Sequence, residues 1–117
     1  ISLVLVGVIF WSTLGLLRES VSMSLAAVPT DVNIEAVRTY LQSLPGVLAF
    51  HDLHIWSMST TETALTVHLV MPQGHPGDAF LLQVQDELRE YHSIEHPTIQ
   101  IETSVDLGCK LAAENAV

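Results

Sequence analysis

The first seventeen residues, ISLVLVGVIFWSTLGLL, pass without a charge until Arg18. They are apolar on every side instead of striped, so no face divides core from water. The run reads as the last part of a membrane-spanning helix. A buried core helix is the alternative, but a chain of 117 residues has room for one compact domain and an appendage, and a wholly apolar helix suits the appendage. No basic segment precedes the run, which makes a secretory signal the poorer reading. Trp11, Ser12 and Thr13 are tolerated in lipid, and Arg18 marks a cytoplasmic edge by the positive-inside tendency. Residues 1–17 are expected to be the end of a transmembrane helix, and the chain a piece of a longer protein.

RESVSMSLAAVP, residues 18–29, reads as a helical connector that Pro29 ends, because the residue before a proline is pushed away from helical angles. A soluble domain is expected over 30–105. Thr30 or Asp31 offers a cap to a helix in which Ile34, Val37, Leu41 and Leu44 recur at helical spacing, and Pro45-Gly46 stops it. A strand is expected from Val47 to Ser57 and another from Glu62 to Met71, closed by the breaker-rich loop PQGHPG. The next helix, from Asp78 to Tyr91, stripes Phe80, Leu81, Val84 and Leu88 against Asp86, Glu87, Arg89 and Glu90. PTIQIETS then alternates as a last strand. The order α-β-β-α-β predicts an α+β sandwich, with helices on one face of a small, mainly antiparallel sheet. Residues 106–117 carry no pattern and are expected to be a flexible tail.

With Lys+Arg 4 against Asp+Glu 13, the formal charge of −9 repels phosphate backbones and attracts cations, so nucleic acid is not an expected partner. The single cysteine, Cys109, rules out an internal disulfide framework and reads as a free thiol, or as a metal ligand if the tail folds back. Ser57, Ser59, Asp52 and several histidines are present without a nucleophile elbow or an HExxH helix, so no enzyme is expected.

The two strands of HDLHIWSMSTTETALTVHL carry a histidine near each end, His51 and His68. If Ser59 and Thr60 centre the turn, Phe50 faces Leu69, Leu53 faces Thr66 and His51 faces His68, with both rings on one side of the sheet. A slip of one residue would separate them. Two neutral imidazoles joined by the Glu102 carboxylate from the last strand form a three-ligand set for a divalent transition metal, with one coordination position left open. The competing reading is a pair of histidines held by hydrogen bonds alone. His54 falls on the face opposite to His51 and reads as packing beside Trp56. His75, His92 and His96 read as surface residues, His96 being the reserve ligand because it precedes the last strand.

LPGV, HDLHIWSMSTTETALTVHLV and HPTIQIE together resemble the cytoplasmic C-terminal domain of cation diffusion facilitator transporters, the zinc, cobalt and cadmium efflux proteins. The resemblance extends from Ile1 to about Cys109 and takes in the apolar end of the last transmembrane helix. It implies a metallochaperone-like, ferredoxin-like fold that dimerises, and a cell-membrane protein whose C-terminal domain is cytoplasmic. It implies further that divalent metal binds this domain and regulates transport, at positions matching His51, His68 and Glu102, with a histidine near His96 sometimes joining. Zn²⁺ is the first candidate, and Co²⁺, Cd²⁺ and Ni²⁺ suit the same donors. One departure stands out: some relatives place a histidine where this chain has Glu95. A metal-independent dimerisation module is the alternative, since some relatives hold no metal here. The family's transmembrane transport site lies outside this sequence.

Overall fold

A computed structural model describes residues 1–25 and 27–104, and the expectations for Cys109 and the 106–117 tail lie outside them. Six elements follow one another: α1 Ser2–Ser24, α2 Ile34–Ser43, β1 Ala49–Ser57, β2 Thr63–Val70, α3 Asp78–His92 and β3 His96–Glu102. α1 runs unbroken through Arg18, so the expected span end and part of the expected connector form one helix. Its 23 residues are long and apolar enough to cross a membrane, with a mean hydropathy of 1.5 over the best window. At a rise of about 1.5 Å per residue they reach the thickness of a bilayer's hydrocarbon core. The hydroxyls of Ser12 and Thr13 both donate to the Ile9 carbonyl, which removes the two polar side chains in its middle from any need for water.

α2 is capped two or three residues later than expected. Asn33, not Thr30 or Asp31, supplies the side chain, its Oδ1 accepting from the Ala36 N–H at 3.1 Å. Val37 and Leu41 lie one turn apart on its buried face. Gly46, at φ 83, makes the turn after the helix, where a Cβ would meet the Met71 Cε at 3.2 Å. α3 ends at Ser93 in the left-handed region, which lets the Ile94 N–H return to the Leu88 carbonyl at 3.2 Å and drives the Ile94 side chain into the core.

The sheet has the order β1-β2-β3. β1 and β2 pair antiparallel, as a hairpin must, but β2 and β3 pair parallel. The expectation of a mainly antiparallel sheet is corrected here. β3 is reached through α3, and the crossover helix carries the chain from the end where β2 finishes back to the end where β2 began, so the next strand runs the same way. The inward residues Leu53, Ile55, Leu65, Val67 and Leu69 meet Val37, Leu41, Val84, Leu88 and Ile94 in one core.

The hairpin departs from the expected register in an informative way. Ser57 faces Thr63 and Trp56 faces Ala64, so the connection is Met58–Glu62 and Thr60 is its centre, closed by the Met58 N–H on the Glu62 carbonyl at 2.8 Å. Continued regularly, that pairing would put His51 opposite Leu69 and turn it into the core beside Leu53 and Ile55. Between His51 and His54 the register shifts, and Asp52 adopts φ 53. The extra residue of this β-bulge restores Phe50 opposite Leu69 and His51 opposite His68, while Leu53 does not face Thr66 as expected. His54 pairs with Thr66 instead and thereby joins His51 and His68 on the outward face, correcting its expected place on the other side.

Leu69, fully buried on the central strand, lies back to back with this face. Leu69→Ala is expected to cost about 2–5 kcal/mol, read as a lowered midpoint in thermal unfolding followed by circular dichroism of the full chain in detergent.

Candidate metal centre

His51, His68 and Glu102 meet at the end of the sheet where β1 begins and where β2 and β3 finish. His51 and His68 are directly opposed, and β3 pairs Gln100 with His68, so Glu102 lies one pleat further along the same face. The ring centroids are 5.1 Å apart and cross at 65°. The Glu102 carboxylate bridges the rings: Oε2 is 3.0 Å from His51 Nε2 and Oε1 is 2.9 Å from His68 Nδ1. Gln100 Nε2 donates to Oε1 at 3.2 Å and steadies the carboxylate from its own strand. The three side chains retain only 18%, 12% and 17% of their exposure, so the cluster is partly shielded from water. Each offers one donor atom within 4.8 Å of the others.

Two imidazole nitrogens and a carboxylate oxygen form a donor set suited to a divalent transition metal. His51 meets Glu102 through Nε2, and its other nitrogen, Nδ1, is buried and has no hydrogen-bond partner among the described residues. The residues present therefore fit a divalent cation.

His96 does not join them. It begins β3 opposite Ala64, six positions before Glu102, and its Nε2 lies 3.5 Å from Glu62 Oε1. On the rise of a strand this is about 20 Å from the cluster. Within one chain His96 is kept from the cluster because it and Glu102 stand at opposite ends of one short strand. Glu95 beside it accepts from the Thr63 N–H at 2.8 Å and fixes the start of β2. Of the remaining histidines, His75 accepts from the Gly77 N–H at 3.1 Å in the loop, and His92 lies against the Tyr40 ring.

Asp52 is the residue that sequence reasoning missed. Its Oδ1 is 2.9 Å from His54 Nε2 and its Oδ2 is 3.6 Å from His68 Nε2. A sequence signal existed. Core-facing Phe50, Leu53 and Ile55 break the period of two by one residue, which marks an insertion between 50 and 53, and aspartate tolerates the left-handed region better than most residues.

Comparison with known proteins accounts for the same stretch of chain. A family profile described as the cytoplasmic domain of cation efflux proteins matches residues 29–104. The metal cation efflux system protein CzcD of Cupriavidus metallidurans is 38% identical over 88 residues, 74% of this chain and 28% of that protein. The human proton-coupled zinc antiporter SLC30A2 is 34% identical over 91 residues, 78% of this chain and 24% of that protein. The chain thus spans less than a third of these curated relatives. Among solved structures, the metal-bound C-terminal domain of the CzcD transporter superposes with a TM-score of 0.54 at 35% identity, covering 61% of this chain and 99% of that one. The α-β-β-α-β order with an apolar helix before it agrees with the architecture expected from the sequence. The profile match, which takes in more than half of the chain, leads to one conclusion: the chain belongs to the cation efflux protein family and carries its cytoplasmic domain.

Proposed function

We propose that this chain is part of a divalent-metal efflux transporter of the cell membrane, in which α1 is the last helix of the membrane portion and residues 30–105 form a cytoplasmic regulatory and dimerisation domain. His51, His68 and Glu102 would hold the ion, with Zn²⁺ the first candidate and Co²⁺, Cd²⁺ and Ni²⁺ suited to the same donors. The observation that carries this reading is the convergence of the two opposed rings on one part-buried carboxylate.

The chemistry supports regulation through charge. Two copies of a chain with a formal charge of −9 repel when their acidic domains approach. A bound divalent cation supplies positive charge and direct bonds to its donors. His51 and His68 contribute neutral nitrogen, Glu102 gives up its negative charge to the site, and the equilibrium between separated and apposed domains shifts by the difference in affinity of the two forms for the ion. A metal-independent dimerisation module is favoured by one observation: Glu102 already makes one hydrogen bond to each ring, at 3.0 and 2.9 Å.

Two measurements separate these readings, and a third tests the hydrogen bonds that both contain. Metal content by mass spectrometry, on full chain purified in detergent and dialysed, is expected to show about one zinc per chain; its absence after zinc loading selects the metal-independent module. Titration of Zn²⁺ is expected to compact the dimer in small-angle scattering, and His68→Ala to abolish most of that change. No change of scattering radius at saturating zinc would overturn the regulatory role. In the metal-free protein, Glu102→Ala removes the acceptor common to both rings and is expected to cost about 1–3 kcal/mol in thermal unfolding, Glu102→Gln less because one oxygen remains.

A further inference from the structure

Among the described residues, two other than glycine have positive φ, Asp52 and Ser93. Ser93 is accounted for by the end of α3, where its conformation lets Ile94 bond back to Leu88. Asp52 ends no helix. A left-handed residue inside a strand costs conformational energy and persists where its surroundings fix it. Its side chain is 19% exposed and reaches along the outward face, with one carboxylate oxygen toward His54 and the other toward His68.

The two nitrogens of His68 face different carboxylates. Nδ1 lies 2.9 Å from Glu102 Oε1, within the candidate metal centre, and Nε2 lies 3.6 Å from Asp52 Oδ2. A neutral imidazole that gives one nitrogen to a metal keeps its proton on the other. In most metal sites that second N–H donates to a carboxylate or carbonyl, which fixes the ring and its tautomer and strengthens the ligand. Asp52 Oδ2 stands in that place, a few tenths of an ångström beyond hydrogen-bond range. Its other oxygen is held by His54 Nε2 at 2.9 Å, so the carboxylate is itself oriented.

We infer that Asp52 is the positioning residue of His68: it accepts the Nε2 proton when Nδ1 serves the metal, and His54 holds it in place. The inference rests on the reading of His51, His68 and Glu102 as cation ligands and names a residue outside that set. It gives the β-bulge a chemical purpose, since the insertion that turns His51 outward also delivers the carboxylate behind His68. Asp52 acts through His68 and does not bind the ion itself.

The test uses the full chain in detergent with Zn²⁺ and Co²⁺ as probes. Asp52→Gly keeps a residue at home in the left-handed region and removes the carboxylate. Asp52→Asn tolerates the same backbone and retains an acceptor oxygen. Zinc affinity, measured by competition with a chelator, is expected to fall about 10–100-fold in Asp52→Gly and distinctly less in Asp52→Asn. The visible absorption of bound Co²⁺ is expected to keep its shape, because the donors to the ion are unaltered. ¹⁵N-detected histidine spectra of the zinc-loaded protein are expected to show His68 protonated at Nε2 in the wild type and its signal broadened in Asp52→Gly. Wild-type zinc binding with Asp52→Gly unaltered in affinity and tautomer overturns the inference alone, as does a changed Co²⁺ spectrum, which would make Asp52 a ligand. Failure of the wild type to bind zinc overturns the metal centre and the inference together.

Discussion

One inserted residue decides what this sheet can do. Near the turn, β1 pairs with β2 so that Leu53 and Ile55 enter the core, and the same alternation carried back along the strand would bury His51 with them. A histidine among Leu65, Val67 and Leu69 would forfeit its hydrogen bonds or force water into the core. The bulge at Asp52 exchanges the two neighbours: Phe50 turns inward to pack on the core and His51 turns outward to face His68. Core packing and site geometry are thus met by the same backbone distortion, and neither can be altered without the other.

The elements were legible in the sequence because each rests on local rules. The period of Val37 and Leu41, the period of Val84 and Leu88, and the breakers at Pro45-Gly46 and in the PQGHPG loop are short-range signals, and the structure follows them to within a few residues. The direction of β3 was not local. Its alternation reads the same whichever way it runs, and the parallel pairing comes from the crossover through α3. The opposition of His51 and His68 was anticipated, but by an assumed regular hairpin centred between Ser59 and Thr60. The true centre is one half-step further on, and the bulge compensates. That regular register would have set Leu53 on the same face as the histidines, a conflict with the apolar content of β1 that pointed to the insertion. His96 looked near the site only in sequence order, since it and Glu102 belong to one strand whose length keeps them apart.

The three-residue cluster sits between two energetic limits. Fully buried, a carboxylate and two imidazoles would carry a heavy desolvation cost; fully exposed, their mutual interactions would be worth little. With less than a fifth of each side chain accessible, the hydrogen bonds from both rings to Glu102 are shielded enough to matter, and a small ion can still approach from the open face. Glu102 is held at both levels. Its carboxylate receives Gln100, and its backbone carbonyl accepts the Met71 N–H at 2.8 Å, which extends the β2–β3 pairing beyond the last strand residue. The donors are therefore arranged in advance by the sheet, and little ordering remains to oppose binding.

The position of the cluster also limits how it can act on the rest of the protein. It lies at one end of β1, while the other end, Ser57, takes its N–H to the Ala27 carbonyl in the segment that follows α1. Six residues of strand, about 20 Å at the rise of β structure, separate the two. A paired strand on a packed core neither lengthens nor rotates by small amounts, so a bond made at His51 does not reach Ala27 as a local strain. The remaining route is rigid: an effect of the proposed centre on that segment would require the domain to move as a unit, with the segment joined at Ser57 carried along. In the proposed function, an ion held at His51, His68 and Glu102 would act through whatever surface the open face meets, and the bulge that shapes this face lies at the far end of β1 from Ser57.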